Sequence, residues 1–451
     1  MAAEIRQYGA KPSVEGVSHF VEVVAACAEP VEEQERRPTR SPFLDRELHS
    51  LHHDAAVARV LFFPLAPGPG LSHVGACVAV ADELERRGHE TVLAYGGSRP
   101  ELVAGWTRRL ERVEEIPYER TVGDSAAGWY EPGDLERLTR GDLELIERVR
   151  PDVAVVDLRT SASMACEMSG VPDLSLMHFL RLTAWYREPD PWRLRARELR
   201  RPQRLPQAFR RWLDRDPGGG KTLRAALGAA RVSLGLPGTG SPWEGRLVAC
   251  TTTPWLDPAD LPPNWRYVGP ISWSAGGIGP EPDRGSRPLV VAVESTTGPS
   301  PLLPRVLREL ADEPVDLVAA AAGRESIDDL SLLAPRARIE RLLPTTAWLE
   351  AADVAIVEGG HQTACVAQRA GTPLIVVPHR ADQWAWADRV ERLGSGVALR
   401  PPVAPGALRR AVRRVLRDER YRQAAERVGA HLQEWDGARA TADLVESLVA
   451  S

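Results

Sequence analysis

The strongest constraint on this chain is an alternation that runs twice. From Ala58, "ARVLFFPLA" reads as a buried strand, "PGPGLSH" as a turn, "VGACVAVADELERRG" as an amphipathic helix closed by Gly88, and "HETVLAYGG" as the next strand. Strand, loop, helix and strand in that order open a parallel, doubly wound sheet. "RPDVAVVDL", "DLSLMHF" and "RLVACTTT" continue the strands, with "SASMACEMSGVP" as a helix between the first two. Proline and glycine then crowd residues 258–288, which read as an interdomain linker. After it the alternation restarts with "LVVAVEST", "LLPRVLRELAD", "VDLVAAAAG", "ARIERLLP", "TTAWLEAAD" and "VAIVEGGHQTACVAQRAGTPLIVVP". The predicted fold is α/β: two Rossmann-like, doubly wound parallel-sheet domains facing across a cleft, with ligands beyond the strand carboxyl ends.

The expected divisions are an N-terminal extension at 1–56, a first domain at 57–270, a second at 271–436 and a final helix at 437–451. The extension is charged and broken by prolines in "EPVEEQERRPTRSP", the texture of an arm attached loosely or packed on a neighbouring domain or subunit, so a homodimer stays open. Residues 185–230, rich in Arg, Trp and Pro, read as irregular helices suited to lining a pocket.

Composition removes several function classes. A net charge of −5 argues against a nucleic-acid surface, which would carry a basic stripe. The five cysteines form no CxxC pair, the pattern of reduced, buried thiols in a cytoplasm rather than of a disulfide frame or zinc site. No HExxH-type spacing marks a metal site. "GGGKT" at 218–222 is no phosphate-binding Walker loop, because Arg215 holds the first glycine position and no strand precedes it. The start lacks a basic segment followed by an apolar one, and no apolar run approaches the roughly 20 residues that span a bilayer. A soluble, cytoplasmic protein is expected.

Candidate chemistry gathers at strand ends. His73, just ahead of the first helix, is either a general base or a structural loop histidine. Gly68, Gly70 and Gly75 around it either let a ligand approach the backbone or only make the turn. Asp157 ends "VAVVDL"; it orients His73, acts as base itself, or else caps the next helix or pairs with Arg159. Ser295, Thr296 and Thr297 follow the first strand of the second half and suit phosphate oxygens, or N-cap the helix that starts near Pro301. "GGHQTA" is the most informative element: Gly359 and Gly360 bare a helix N-terminus to a diphosphate, and Thr363 offers a hydroxyl. Glu358 stands at its threshold and either caps the helix, a favourable place for a carboxylate, or bonds a ribose hydroxyl or sugar amine. Asp382 and Gln383 either grip neighbouring hydroxyls of one sugar ring or are only turn residues.

Taken together, "GLSHVG…ADELERRGHE", "VVDLRTSASMACEMSGVP", "LPPNWRYVGPI" and "LLPTTAWLEAADVAIVEGGHQTACVAQRAGTPLIVVPHRADQ" resemble the GT-B nucleotide-sugar-dependent glycosyltransferases, nearest to the UDP-glycosyltransferase-like enzymes of bacterial natural-product biosynthesis. The resemblance spans roughly residues 58–450. It implies an acceptor-binding first domain, a donor-binding second domain, and a last helix that crosses back to the first. It implies an inverting, metal-independent enzyme with no cofactor, a nucleoside-diphosphate sugar as co-substrate and a small-molecule acceptor. His73 matches the catalytic histidine. Ser295 and Thr296 match the loop on the donor phosphates; Gly360, His361, Gln362 and Thr363 match the diphosphate turn; Asp382 and Gln383 match the pair on the donor sugar. Three positions depart. Glu358 stands where a phosphate-contacting histidine is common, Val366 where some members carry a ribose-binding glutamate, and Leu342 where a tryptophan stacks on uracil. The nucleobase is therefore open. So are two other readings: an auxiliary or binding protein with an eroded donor site, and a nucleotide-sugar epimerase.

Overall fold

The computed structural model describes residues 57–66, 71–97, 109–121, 128–178, 220–238, 244–259, 261–273, 279–295, 300–321, 324, 326–379 and 381–451 of the chain. The extension at 1–56, Gly68, Gly70, Thr296, Thr297, the Walker-like run up to Gly219 and most of 185–230 lie outside them, as does the side chain of Asp382.

The first sheet holds β1 (Arg59–Pro64), β2 (Glu90–Tyr95), β3 (Arg109–Arg112), β4 (Val153–Asp157), β5 (Asp173–Met177), β6 (Leu247–Cys250) and β7 (Trp265–Tyr267) in the order β3-β2-β1-β4-β5-β6-β7. The second holds β8 (Leu289–Val293), β9 (Asp316–Ala320), β10 (Arg338–Glu340), β11 (Val354–Val357), β12 (Leu374–Val376) and β13 (Gly396–Ala398) in the order β10-β9-β8-β11-β12-β13. Every pairing in both is parallel. The two parallel-sheet domains read from the alternation are thus present. The expected linker holds one surprise. Trp265–Tyr267 adds a short strand to the first sheet before the chain crosses, and as an edge strand paired on one side it tolerates the prolines beside it.

Strands buried on both faces explain the unbroken apolar runs. Val60, Phe62, Leu93, Val155 and Leu174 pack to one side of the first sheet against α1 (Leu71–Arg86). Leu61, Phe63, Val92, Ala154 and Val156 pack to the other, against α2 (Asp134–Val149) and α3 (Thr160–Ser169). Beyond α4 (Gly220–Ser233), the second sheet is covered by α5 (Leu302–Leu310), α6 (Thr345–Ala351), α7 (His361–Arg369), α8 (Ala381–Leu393), α9 (Ala407–Arg417) and α10 (Arg420–Gln433). Cys77, Cys166, Cys250 and Cys365 are buried free thiols. Burial pushes the Cys365 thiol up to about 12, which leaves it unreactive. Among the described residues no helix is long and apolar enough to cross a membrane.

The last helix, α11 (Gly437–Val449), belongs in space to the first sheet. Its Ala442, Val445 and Leu448 complete the core formed with Val80 and Leu84 of α1. Arg87 donates to Asp443 at 2.7 Å and Glu446 at 2.8 Å, and His89 lies 3.1 Å from Glu446. Two glycines make the crossing close. A Cβ on Gly437 would stand 2.6 Å from the Gly269 and Pro270 carbonyl oxygens, and one on Gly269 would stand 2.5 Å from Trp435.

Candidate active site

A doubly wound sheet opens a crevice where its strand order reverses. The first sheet reverses between β1 and β4, and the second between β8 and β11. His73 lies in the first turn of α1, after β1, and Asp157 is the last residue of β4, so they flank the first crevice. His73 Nδ1 is 2.9 Å from Asp157 Oδ1. A carboxylate can only accept, so Nδ1 carries the proton and the basic lone pair is left on Nε2. The His73 side chain is 22% exposed and that of Asp157 fully buried, which leaves the imidazole alone within a substrate's reach. Burial works against the Asp157 charge, but His178 and His73 more than offset it and hold its carboxyl well below the usual carboxylate range. Asp157 pairs with neither Arg159 nor a helix end. Arg159 is spent on Asp142 (2.9 Å), Glu115 and the Glu114 carbonyl, and makes no side-chain cap on α3. Leu158, next along, has a left-handed φ of 56°, a strain of about 1–2 kcal/mol for a residue with a Cβ.

The second crevice is flanked by Ser295 after β8 and by Glu358 to Gly360 after β11. Gly359 has φ 100°, and a Cβ there would strike the Gln383 carbonyl oxygen at 2.8 Å and Val376 at 2.9 Å, so no other residue fits. At Gly360, the N-cap of α7, a Cβ would meet nothing within 4 Å among the described residues. Gln362 Nε2 is buried there without a hydrogen-bond acceptor, and Thr363 is half-buried beside it. These features fit an anion at a helix end. Glu358 does not cap α7. Its Oε2 accepts the Ser295 N–H at 3.2 Å and lies 3.5 Å from Gln383 Nε2. Gln383 is itself buried, its Oε1 taking the His379 N–H at 2.7 Å. Glu294, paired with Arg324 at 2.7 Å and accepting the Ser300 N–H at 2.9 Å, fixes both ends of the loop after β8. Leu342 is half-buried, and its carbonyl oxygen lies so close to Gly279 that a Cβ there would meet it at 2.5 Å.

The two crevices touch. His361 turns away from the helix end: its Nε2 donates to the Thr251 carbonyl at 2.9 Å, beyond β6 of the first sheet, while Trp386 Nε1 donates to its Nδ1 at 3.4 Å. Thr251 Oγ1 is 2.9 Å from His178 Nδ1, and His178 Nε2 is 2.8 Å from Asp157 Oδ2. Arg389 of α8 reinforces the junction through Asp257 at 3.2 Å. His73, Asp157 and His178 offer three ligand-type atoms within 4.8 Å of one another. Sequence spacing shows no such group because three separate elements supply it. The carboxylate already accepts two imidazole N–H groups, both of which a cation would have to displace.

Residues 304–444 match the family model of the C-terminal domain of erythromycin biosynthesis protein CIII-like proteins. The chain is 31% identical over 382 residues to the PGL/p-HBAD biosynthesis rhamnosyltransferase of Mycobacterium bovis (strain BCG / Pasteur 1173P2), covering 82% of this chain and 83% of that one. It belongs to the GT-B glycosyltransferases. This glycosyltransferase is also 33% identical over 199 residues to 4'-demethylrebeccamycin synthase of Lentzea aerocolonigenes, covering 42% of this chain and 46% of that one. Its fold is shared with the spinosyn forosaminyltransferase SpnP, at a TM-score of 0.64 and 20% identity, over 88% of this chain and 100% of the other.

In this glycosyltransferase the structure brings His73 and Asp157 into contact, and gathers Ser295, Glu358, Gly360, Gln362, Thr363 and Gln383 around the second crevice. The His361 side chain does not join them. Sequence reasoning missed His178 and Thr251. The signal for His178 was there: it directly follows β5, at the same kind of strand end that drew attention to Asp157.

Proposed function

We propose that this glycosyltransferase moves a sugar from a nucleoside-diphosphate sugar to a small-molecule acceptor by a single inverting displacement, with His73 as general base and no divalent metal or resident cofactor. The observation that carries the proposal is the pairing of the two crevices: a buried carboxylate holding a partly exposed imidazole at one, and a glycine-led helix N-terminus with the unpartnered Gln362 amide at the other. His73 Nε2 takes the acceptor proton as its nucleophile attacks the anomeric carbon, and Asp157 stabilises the imidazolium that results. Charge leaving with the diphosphate is received by the first amides of α7 and the Thr363 hydroxyl, a fixed electrostatic site that substitutes for a cation. Asp382 and Gln383 hold the donor sugar in this reading, and Ser295 to Thr297 hold its phosphates. The rhamnosyltransferase relative makes a 6-deoxyhexose the first donor sugar to try, on an aglycone of natural-product or glycolipid type.

The test is a thermal-shift panel of UDP-, dTDP-, GDP- and ADP-sugars, followed by transfer assays with the donor that binds. A bound donor raises Tm by mass action. His73→Ala is expected to keep that shift and to lose transfer by at least about 10²-fold. Transfer at the parent rate would remove His73 as base, and a panel without a single shift would remove the donor assignment. Excess EDTA is expected to leave the rate unchanged; a loss restored by Mg²⁺ or Mn²⁺ would contradict metal independence.

A further inference from the structure

The Asp157 carboxylate is held more tightly than a base–carboxylate pair requires. His73 uses Oδ1 alone, whereas His178 Nε2 reaches both oxygens, at 3.0 Å from Oδ1 and 2.8 Å from Oδ2. His178 is buried at the end of β5, next to the strand that carries Asp157. Its other nitrogen meets the Thr251 hydroxyl at 2.9 Å. The His73 and His178 rings also meet edge to face, their centres 5.5 Å apart. The hydrogen-bonded route from His178 to His73 passes through the shared carboxylate.

We infer that His178 is a positioning residue for His73: its Nε2–H locks the Asp157 carboxylate in place and draws off part of the charge that Asp157 would otherwise spend on His73. The inference rests on reading His73 as the base. A carboxylate bonded to one imidazole favours the protonated form of that ring; a second N–H donor on the same oxygens divides the effect. A base must be unprotonated to start the reaction, so too strong a carboxylate would fill His73 with protons at working pH. Because the carboxylate can only accept, it selects the His178 tautomer with Nε2–H, which leaves Nδ1 as an acceptor 2.9 Å from the Thr251 hydroxyl. Among the described residues, the titratable groups around His178 are Asp157 on β4, His73 on α1 and His361 on α7, whose ring centre lies 5.7 Å away; Cys77 of α1 feels Asp157, and Arg389 of α8 acts on His361.

Two isosteres separate the roles of the two His178 nitrogens. In His178→Gln the side-chain amide nitrogen falls near the imidazole Nε2 and can still donate to Asp157; in His178→Asn it falls near Nδ1 and cannot reach it. The His73 titration midpoint is read by NMR on histidine-labelled full-length protein without substrate, its signal assigned by its loss in His73→Ala. His178→Gln is expected to keep the midpoint within a few tenths of a pH unit of the parent. His178→Asn is expected to raise it by about one unit and to carry the acid limb of kcat/KM upward with it. A midpoint unmoved or lowered in His178→Asn, or moved as far in His178→Gln, overturns the inference. Should His178→Asn fail to fold, His178→Gln still decides, because a midpoint unlike the parent's contradicts N–H donation as the role. Transfer absent from the parent would instead fault the functional reading and leave the titration result standing.

Discussion

Glu358 answers at the residue scale how a carboxylate stands beside an anion site. It turns from the α7 helix end to the Ser295 N–H and is 4% exposed. Its charge nonetheless lies between the two loops that the functional reading gives to donor phosphates. Glutamine keeps an oxygen for Ser295 and removes the charge. Glu358→Gln is therefore expected to bind donor as well as the parent or up to about fivefold tighter, from roughly 1 kcal/mol of relieved repulsion. Calorimetry with the donor from the panel checks this, and complete loss of binding would show that the carboxylate takes part directly. His73 and Asp157 were legible because a strand-end rule needs only local pattern. His178 falls under the same rule, but its partner Thr251 lies just beyond another strand, far away in sequence. The direction of His361 was not legible at all. The contact that sets it belongs to the other sheet, and nothing in "GGHQTA" encodes that neighbour.

At the scale of the element, α7 begins on a histidine that must stay neutral. Burial, then the nearby His178 and Arg389, lower the His361 pKa well below its ordinary value. Its hydrogen bonds agree: Nδ1 accepts from Trp386, so a proton there would set two donors against each other. Above about pH 6.5 the ring is neutral in folded and unfolded chains alike, and stability is complete. Below that, the unfolded chain takes a proton that the folded one refuses. Stability then falls by up to about 1.4 kcal/mol per pH unit until the depressed pKa is reached. Urea unfolding at pH 7 and pH 5 is expected to show a larger loss for the parent than for His361→Gln, which keeps an N–H donor and does not titrate. Equal losses would show that another group governs acid sensitivity. The strands around α7 were readable from their apolar runs, since parallel strands buried on both faces carry little else. β7 was not, because three residues among prolines have no periodicity to detect.

For the whole molecule, the close passage of Gly269 and Gly437 is the place to test how the two sheets are joined. Gly437→Ala puts a methyl 2.6 Å from two carbonyl oxygens, and backbone cannot yield as a flexible side chain would. A loss of about 1–3 kcal/mol in stability is expected by chemical denaturation, and a variant as stable as the parent would show that the crossing has slack. The two-domain plan was legible because each sheet repeats the same alternation. That α11 crosses back to the first sheet was expected from the family resemblance alone and not from its own residues, since an amphipathic helix shows how much apolar face it must bury but not against which partner.

That closure has a consequence for biogenesis. Domains ordinarily fold as they leave the ribosome, the earlier before the later. Here β1 and α1 emerge early, yet the residues that seal their apolar side, Ala442, Val445 and Leu448, are translated only after the entire second sheet. A nascent chain halted just before Gly437 would have the second sheet complete in sequence while the first still lacked the residues that cover its apolar side.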